Sequence, residues 1–141
     1  FLDYLKGLNQ EFLITLEYGL QSVNNKTLKI INRGHFLSDF VDAVIRTKKR
    51  NLRVCAHLIL NLPWDDMEDV IEGANILSIL NVDEVKLHSL YIVDNTKMGE
   101  MYKNGEFVLH SKEDYIKRVS TFLAYLDEKI ALQRLLGRAP E

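Results

Sequence analysis

The chain has 141 residues, 47% hydrophobic and 27% charged, enough for one compact core and too short for two ordinary domains. Its net charge of -2 and pI near 6.1 leave no basic surplus, so composition gives no electrostatic case for nucleic acid or a membrane surface as partner. The single cysteine, Cys55, excludes an intrachain disulfide framework and fits a reducing, cytoplasmic setting, and no run approaches the ~20 apolar residues of a membrane span.

In chain order, the sequence starts at Phe1 and reaches its first strand with no βα unit before it, which leads us to expect that the opening half of a larger domain lies upstream. Apolar runs at 12–19, 52–60 and 84–93 read as strands, each followed by a helical pattern. That alternation argues for a parallel sheet. After the first strand come a short helix over 25–32, stopped by Gly34, and a longer one over 38–49 with Phe40, Val41, Val44 and Ile45 as its buried stripe. Lys48-Lys49-Arg50, the only basic run, reads as the solvated end of that helix. Asp65 or Asp66 caps a helix carrying Met67, Val70, Ile71, Ala74 and Leu77. A short helix over 96–103 ends at Asn104-Gly105, and Ser111-Lys112-Glu113-Asp114 opens a helix with Tyr115, Ile116, Val119, Phe122, Leu123 and Leu126 on one side. Residues 129–135 read as a last strand.

Side chains alternate faces along a strand. Ile14, Leu16 and Tyr18 oppose Thr15, Glu17, Gly19 and Gln21; Val54, Ala56 and Leu58 oppose Arg53, Cys55 and His57; Val85 and Leu87 oppose Lys86 and His88. A parallel sheet covered on both faces is apolar on both. Here one face collects an acid, a carboxamide, imidazoles and an amine, which fits a barrel lumen or a cleft for a polar ligand. Taken singly these residues have bland roles: Glu17 as an ion-pair partner, Gln21 or Arg33 as helix-end groups, His57 and His88 as core imidazoles, His35 and His110 as caps or surface groups. Neither cysteine count nor histidine spacing provides a self-contained metal site, and there is no Gly-rich phosphate loop or nucleophile elbow.

Together, Glu17-Tyr18-Gly19-Leu20-Gln21-Ser22, Ile31-Asn32-Arg33-Gly34-His35, His57-Leu58-Ile59-Leu60-Asn61-Leu62-Pro63 and Lys86-Leu87-His88 resemble the C-terminal half of a radical S-adenosylmethionine (radical SAM) domain. The likeness is to the YhcC-type bacterial subfamily, related to coproporphyrinogen-oxidase and Elongator-type enzymes, and runs through 96–105 to the terminal Arg134-Leu135-Leu136-Gly137-Arg138-Ala139-Pro140-Glu141. It implies an α/β fold, the second half of an incomplete (β/α)6 barrel with outer helices, spanning residues 1–141. It also implies S-adenosylmethionine (SAM) as cofactor and a [4Fe-4S] cluster, with a 5′-deoxyadenosyl radical taking hydrogen from a substrate that the sequence does not name.

Carried over by matching positions, Gln21 corresponds to the ribose contact and Arg33 to the partner of the methionine carboxylate. Ser22 belongs to the same block, and His57 stands where relatives have an aspartate for the ribose. Glu17 lies toward the cofactor or the substrate, with Lys86 and His88 on the substrate side. The loop Asn61-Leu62-Pro63-Trp64-Asp65 departs from the family's Gly-Leu-Pro-Gly-Glu: Asn61 replaces a glycine by tolerating left-handed angles, and Trp64 either reshapes the loop or sits on the adenine or an apolar neighbour. The Cys-x-x-x-Cys-x-x-Cys motif that holds the cluster is absent from these residues, so the resemblance makes this a piece that is inactive alone. Its unpaired sheet edge favours self-association, unless a terminal helix covers it. The competing readings are a non-catalytic α/β binding or interaction module and a hydrolase using Glu17 with a histidine.

Overall fold

In a computed structural model, which describes residues 1–137, one sheet of four parallel strands runs in the order β1 (Thr15–Gln21), β2 (Arg53–Ile59), β3 (Glu84–His88) and β4 (Ala131–Arg134). The last four residues of the terminal run, 138–141, lie outside the described residues. The helices α1 (Leu2–Leu8), α2 (Asn25–Ile30), α3 (Leu37–Lys48), α4 (Met67–Ile79), α5 (Lys97–Lys103) and α6 (Lys112–Tyr125) complete the fold. This is the α/β half-barrel expected, with the core on one side of the sheet. Leu20, Val54, Ala56, Leu58, Val85 and Leu87 pack against Phe40 and Val44 of α3, Val70, Ala74 and Leu77 of α4, and Phe122 of α6. Burying that face drives the assembly, at roughly 25 cal/mol per Å² of apolar surface. None of the described helices is long and apolar enough to cross a membrane.

Several boundaries differ from the sequence reading. The apolar run at 12–14 stays outside the sheet: Phe12 is 61% and Leu13 81% exposed, and β1 begins at Thr15. Helix α1, which the sequence reading lacked, is tied to the α3–β2 corner by Asp3–Arg50 at 2.7 Å and by Asn9 Nδ2 donating to Asn51 O at 3.4 Å. Consequently β1 remains an unpaired edge among the described residues. The run Lys48-Lys49-Arg50 is not merely solvated, since Lys48 Nζ sits 2.9 Å from Asp83 as well. On α3 the buried residues are Phe40, Val44 and Thr47, while Ile45 is 41% exposed. β3 ends at His88 instead of Val93, as the chain turns to let Leu90 N–H donate to Asn61 Oδ1 at 2.8 Å. On α6, the unexpected buried residue is Arg118.

The stop after α2 is Asn32, not Gly34. Asn32 takes φ 53°. Its N–H donates to Lys29 O at 3.1 Å, and Arg33 N–H reaches back to Leu28 O at 2.9 Å. This paired closure satisfies two orphan helix carbonyls and fixes the backbone of Arg33.

Candidate functional site

The strand register arranges the polar face in rows. Glu17, Cys55, Glu84 and Ala131 lie side by side; in the next row toward the carboxyl ends come Gly19, His57, Lys86 and Arg134. His88 follows, opposite Ile59. Two interruptions shape the second row. On β1 the register slips between Gly19 and Gln21, with Gln21 at φ 70°. On β4 it slips between the partners of Val85 and Lys86, so that Arg134 instead of Gln133 stands opposite Lys86. Such bulges re-aim side chains next to functional sites.

At the β1 end of the row, Gly19 has no side chain, and two others use its space. A Cβ at Gly19 would fall 2.7 Å from Arg33 Nη2 and closer still to Gln21 Nε2. Arg33 Nη2 donates to Gly19 O at 3.0 Å, which leaves the remaining guanidinium donors for another acceptor. Gln21 and Arg33 therefore converge on one point of the polar face. Beside them lies an open cleft of about 310 Å³ lined by Glu17, Gly19, Arg33, His35, Asp39 and Phe40. His35, read from sequence as a cap or surface group, is thus part of this cleft.

Glu17 joins the two next strands. Its Oε1 receives Lys86 Nζ at 2.6 Å and its Oε2 lies 2.8 Å from His57 Nε2. The hydrogen bond from Lys86 holds the Glu17 carboxyl below its ordinary range, with His57 helping and burial opposing. An ionised carboxylate only accepts, so the imidazole proton of this pair sits on His57 Nε2. His57 also stacks loosely on His88, ring centroids 5.2 Å apart. His88 titrates below the ordinary histidine range, first because it is partly buried and then because Arg134 is close.

Ser22 is placed differently from the other sequence-derived residues. It is only 3% exposed, and its Oγ accepts Asn24 N–H at 2.9 Å, serving the β1–α2 turn. Asn61 does not adopt a left-handed backbone; it replaces the family glycine by a side-chain bond to Leu90. Trp64 packs edge-on against Phe107, with ring centroids 5.1 Å apart. The sequence reading missed Arg118, which clamps this same loop from α6: Nη1 donates to Leu60 O at 3.1 Å and Asp66 O at 3.3 Å, and Nη2 to Asp65 O at 2.9 Å. Nothing in the helical pattern of α6 marked Arg118, because its partners are main-chain atoms more than fifty positions earlier.

No group of three or more His, Cys, Asp or Glu side chains able to hold a metal ion occurs among the described residues. Cys55 is buried, which pushes its thiol up to about 11, the opposite of what a thiolate ligand requires. The residues present do not fit an iron-sulfur cluster.

The fold and the sequence have known counterparts. The family described as the Radical_SAM C-terminal domain matches residues 82–141. The structure of Elp3 from Methanocaldococcus infernus superposes with a TM-score of 0.84 at 25% identity, covering 98% of this chain and 33% of that one. Residues 82–141 belong to the radical SAM C-terminal domain family. Among the relatives, the uncharacterised protein MJ0486 of Methanocaldococcus jannaschii is 41% identical over 86% of this chain and 38% of its own length. Escherichia coli YhcC is 29% identical over 93% of this chain and 42% of its own, in keeping with the YhcC-type resemblance. Streptococcus suis SuiB, solved bound to S-adenosylmethionine, shares the radical SAM fold at 11% identity with a TM-score of 0.65, over 94% of this chain and 29% of that one. The chain thus spans about two fifths of the length of the curated relatives it matches.

Proposed function

We propose that this chain is the second half of a radical SAM enzyme and contributes the methionine and ribose side of its SAM site, the cluster being held by a preceding half that pairs with the β1 edge. The observation that carries this reading is the convergence of Gln21 and Arg33 on the space left by Gly19. These groups fit SAM. A planar guanidinium with free donors matches the methionine carboxylate, and a carboxamide both donates to and accepts from ribose hydroxyls. The absent side chain at Gly19 leaves room for both groups to lie against the sheet. Support also comes from the SAM-bound SuiB structure, whose fold this chain shares.

When bound and reduced, SAM supplies a 5′-deoxyadenosyl radical that takes a hydrogen atom from the substrate; the protein supplies binding, orientation and electrostatics. In this chain, Arg33 neutralises the carboxylate and Gln21 orients the ribose. Glu17, held ionised by Lys86 and His57, gives the middle of the row a fixed negative group toward the cofactor's amino group or the substrate. Lys86 and His88 face the substrate. Without the cluster-bearing half the chain is inactive, and its open β1 edge then favours pairing with a second copy.

The test is anaerobic reconstitution of the full-length protein with iron and sulfide, followed by assay of SAM cleavage. Formation of 5′-deoxyadenosine is the expected result. A protein that folds, takes up iron and sulfide and still leaves SAM intact under reducing conditions contradicts the enzyme reading in favour of a binding module.

A further inference from the structure

The row that begins at Gly19 ends in a guanidinium that no carboxylate meets among the described residues. Strict alternation from Ala131, opposite Glu84, would place Gln133 opposite Lys86; the bulge substitutes Arg134. Arg134 Nη2 lies 2.9 Å from both ring nitrogens of His88, and a neutral imidazole offers only one acceptor and no charge. Among the described residues Arg134 forms no ion pair. The acids on this face are already engaged: Glu17 by Lys86 and His57, Glu84 by Arg53 at 2.6 Å. Lys86 and Arg134 therefore stand as adjacent cations with one carboxylate between them and the far edge, an arrangement that an incoming anion relieves.

We propose that Arg134, with His88 and Lys86 beside it, is a second anion-recognition point on the polar face, and that the substrate carries a carboxylate or phosphate group bound there. This rests on the reading above, in which SAM occupies the Gly19 end of the row. Arg33 Nη2 sits at Gly19 on β1 and Arg134 Nη2 at His88 on β3, two strand spacings or roughly 10 Å apart at ~4.8 Å each. One cofactor carboxylate cannot answer both Arg33 and Arg134 across that span. The cofactor takes the first and leaves the second to another anionic molecule. A substrate anchored at β4 would extend back along the row toward His57 and Glu17.

The experiment follows the His88 imidazole and Arg134 guanidinium resonances of the isotopically labelled 141-residue chain by NMR during titration with inorganic phosphate and, separately, malonate, against sodium chloride at equal ionic strength. A saturable shift at both residues with at least one anion is expected, weakened about fivefold or more in Arg134→Gln as a charge-assisted contact is lost. Saturation by phosphate alone points to a phosphoryl-bearing substrate, and saturation by malonate alone to a carboxylic acid. Arg33→Gln should leave the response unchanged. If Arg134→Gln does not fold, Arg134→Lys decides: a retained His88 response supports the proposal and its loss overturns it. Failure of both anions to saturate, an equal response to chloride, or an unchanged response in Arg134→Gln also overturns it. Because Arg33 takes no part in this readout, an anion response combined with a full-length protein that does not bind SAM contradicts the cofactor reading alone.

Discussion

Replacing Arg118 by methionine lowers the unfolding free energy by about 3–5 kcal/mol, because three main-chain carbonyls lose charge-assisted donors in a largely buried place. Arg118 is 7% exposed, and its guanidinium ties α6 to both ends of the segment from Leu60 to Asp66. Methionine keeps the apolar stem and a similar length, so the loss reports the guanidinium and not a cavity. Urea denaturation of the two chains, read by circular dichroism, measures it, and the melting temperature should fall by roughly 10–15 °C for a domain of this size. A difference below about 1 kcal/mol would mean that the β2–α4 loop holds its shape without the clamp.

Gly19→Ala separates folding from binding. The new Cβ would lie 2.7 Å from Arg33 Nη2 and nearer to Gln21 Nε2, so both side-chain ends must move. They are the far ends of flexible side chains, and the strand accepts alanine, so stability should change by no more than about 1 kcal/mol. SAM affinity in the full-length protein should nonetheless fall by about tenfold or more, since a displaced guanidinium forfeits roughly one charge-assisted bond. Equilibrium dialysis with the cofactor, paired with a urea titration of the same variant, reads both quantities. Native affinity in Gly19→Ala would show that neither side chain's position beside Gly19 matters for binding.

Much of this site was legible because a strand has a period of two. Glu17, His57, Lys86 and His88 were grouped from alternation alone, and three of them are joined through Glu17 in the structure. What alternation does not encode is register. The slips at Gly19/Gln21 and at Val85/Lys86 each move one side chain by a position, and the second brings Arg134 to the polar face from a four-residue strand with a weak pattern. Arg33 was found through a motif. Its placement comes from the left-handed Asn32, not from the glycine the sequence offered at Gly34, since asparagine tolerates that backbone through local side-chain hydrogen bonding. Asn61 shows the reverse. It was expected to serve by backbone freedom and serves by its amide oxygen. Long-range contacts such as Arg118 to Leu60 leave no periodic trace in the chain at all.

The most direct test is of the contact between Arg33 and the cofactor carboxylate. Measured by calorimetric titration of SAM into the reconstituted full-length protein, Arg33→Ala should weaken binding roughly ten- to hundredfold, the worth of one charge-assisted carboxylate contact, while its cluster content and melting temperature match the parent's. Equal affinity in the two proteins would contradict it.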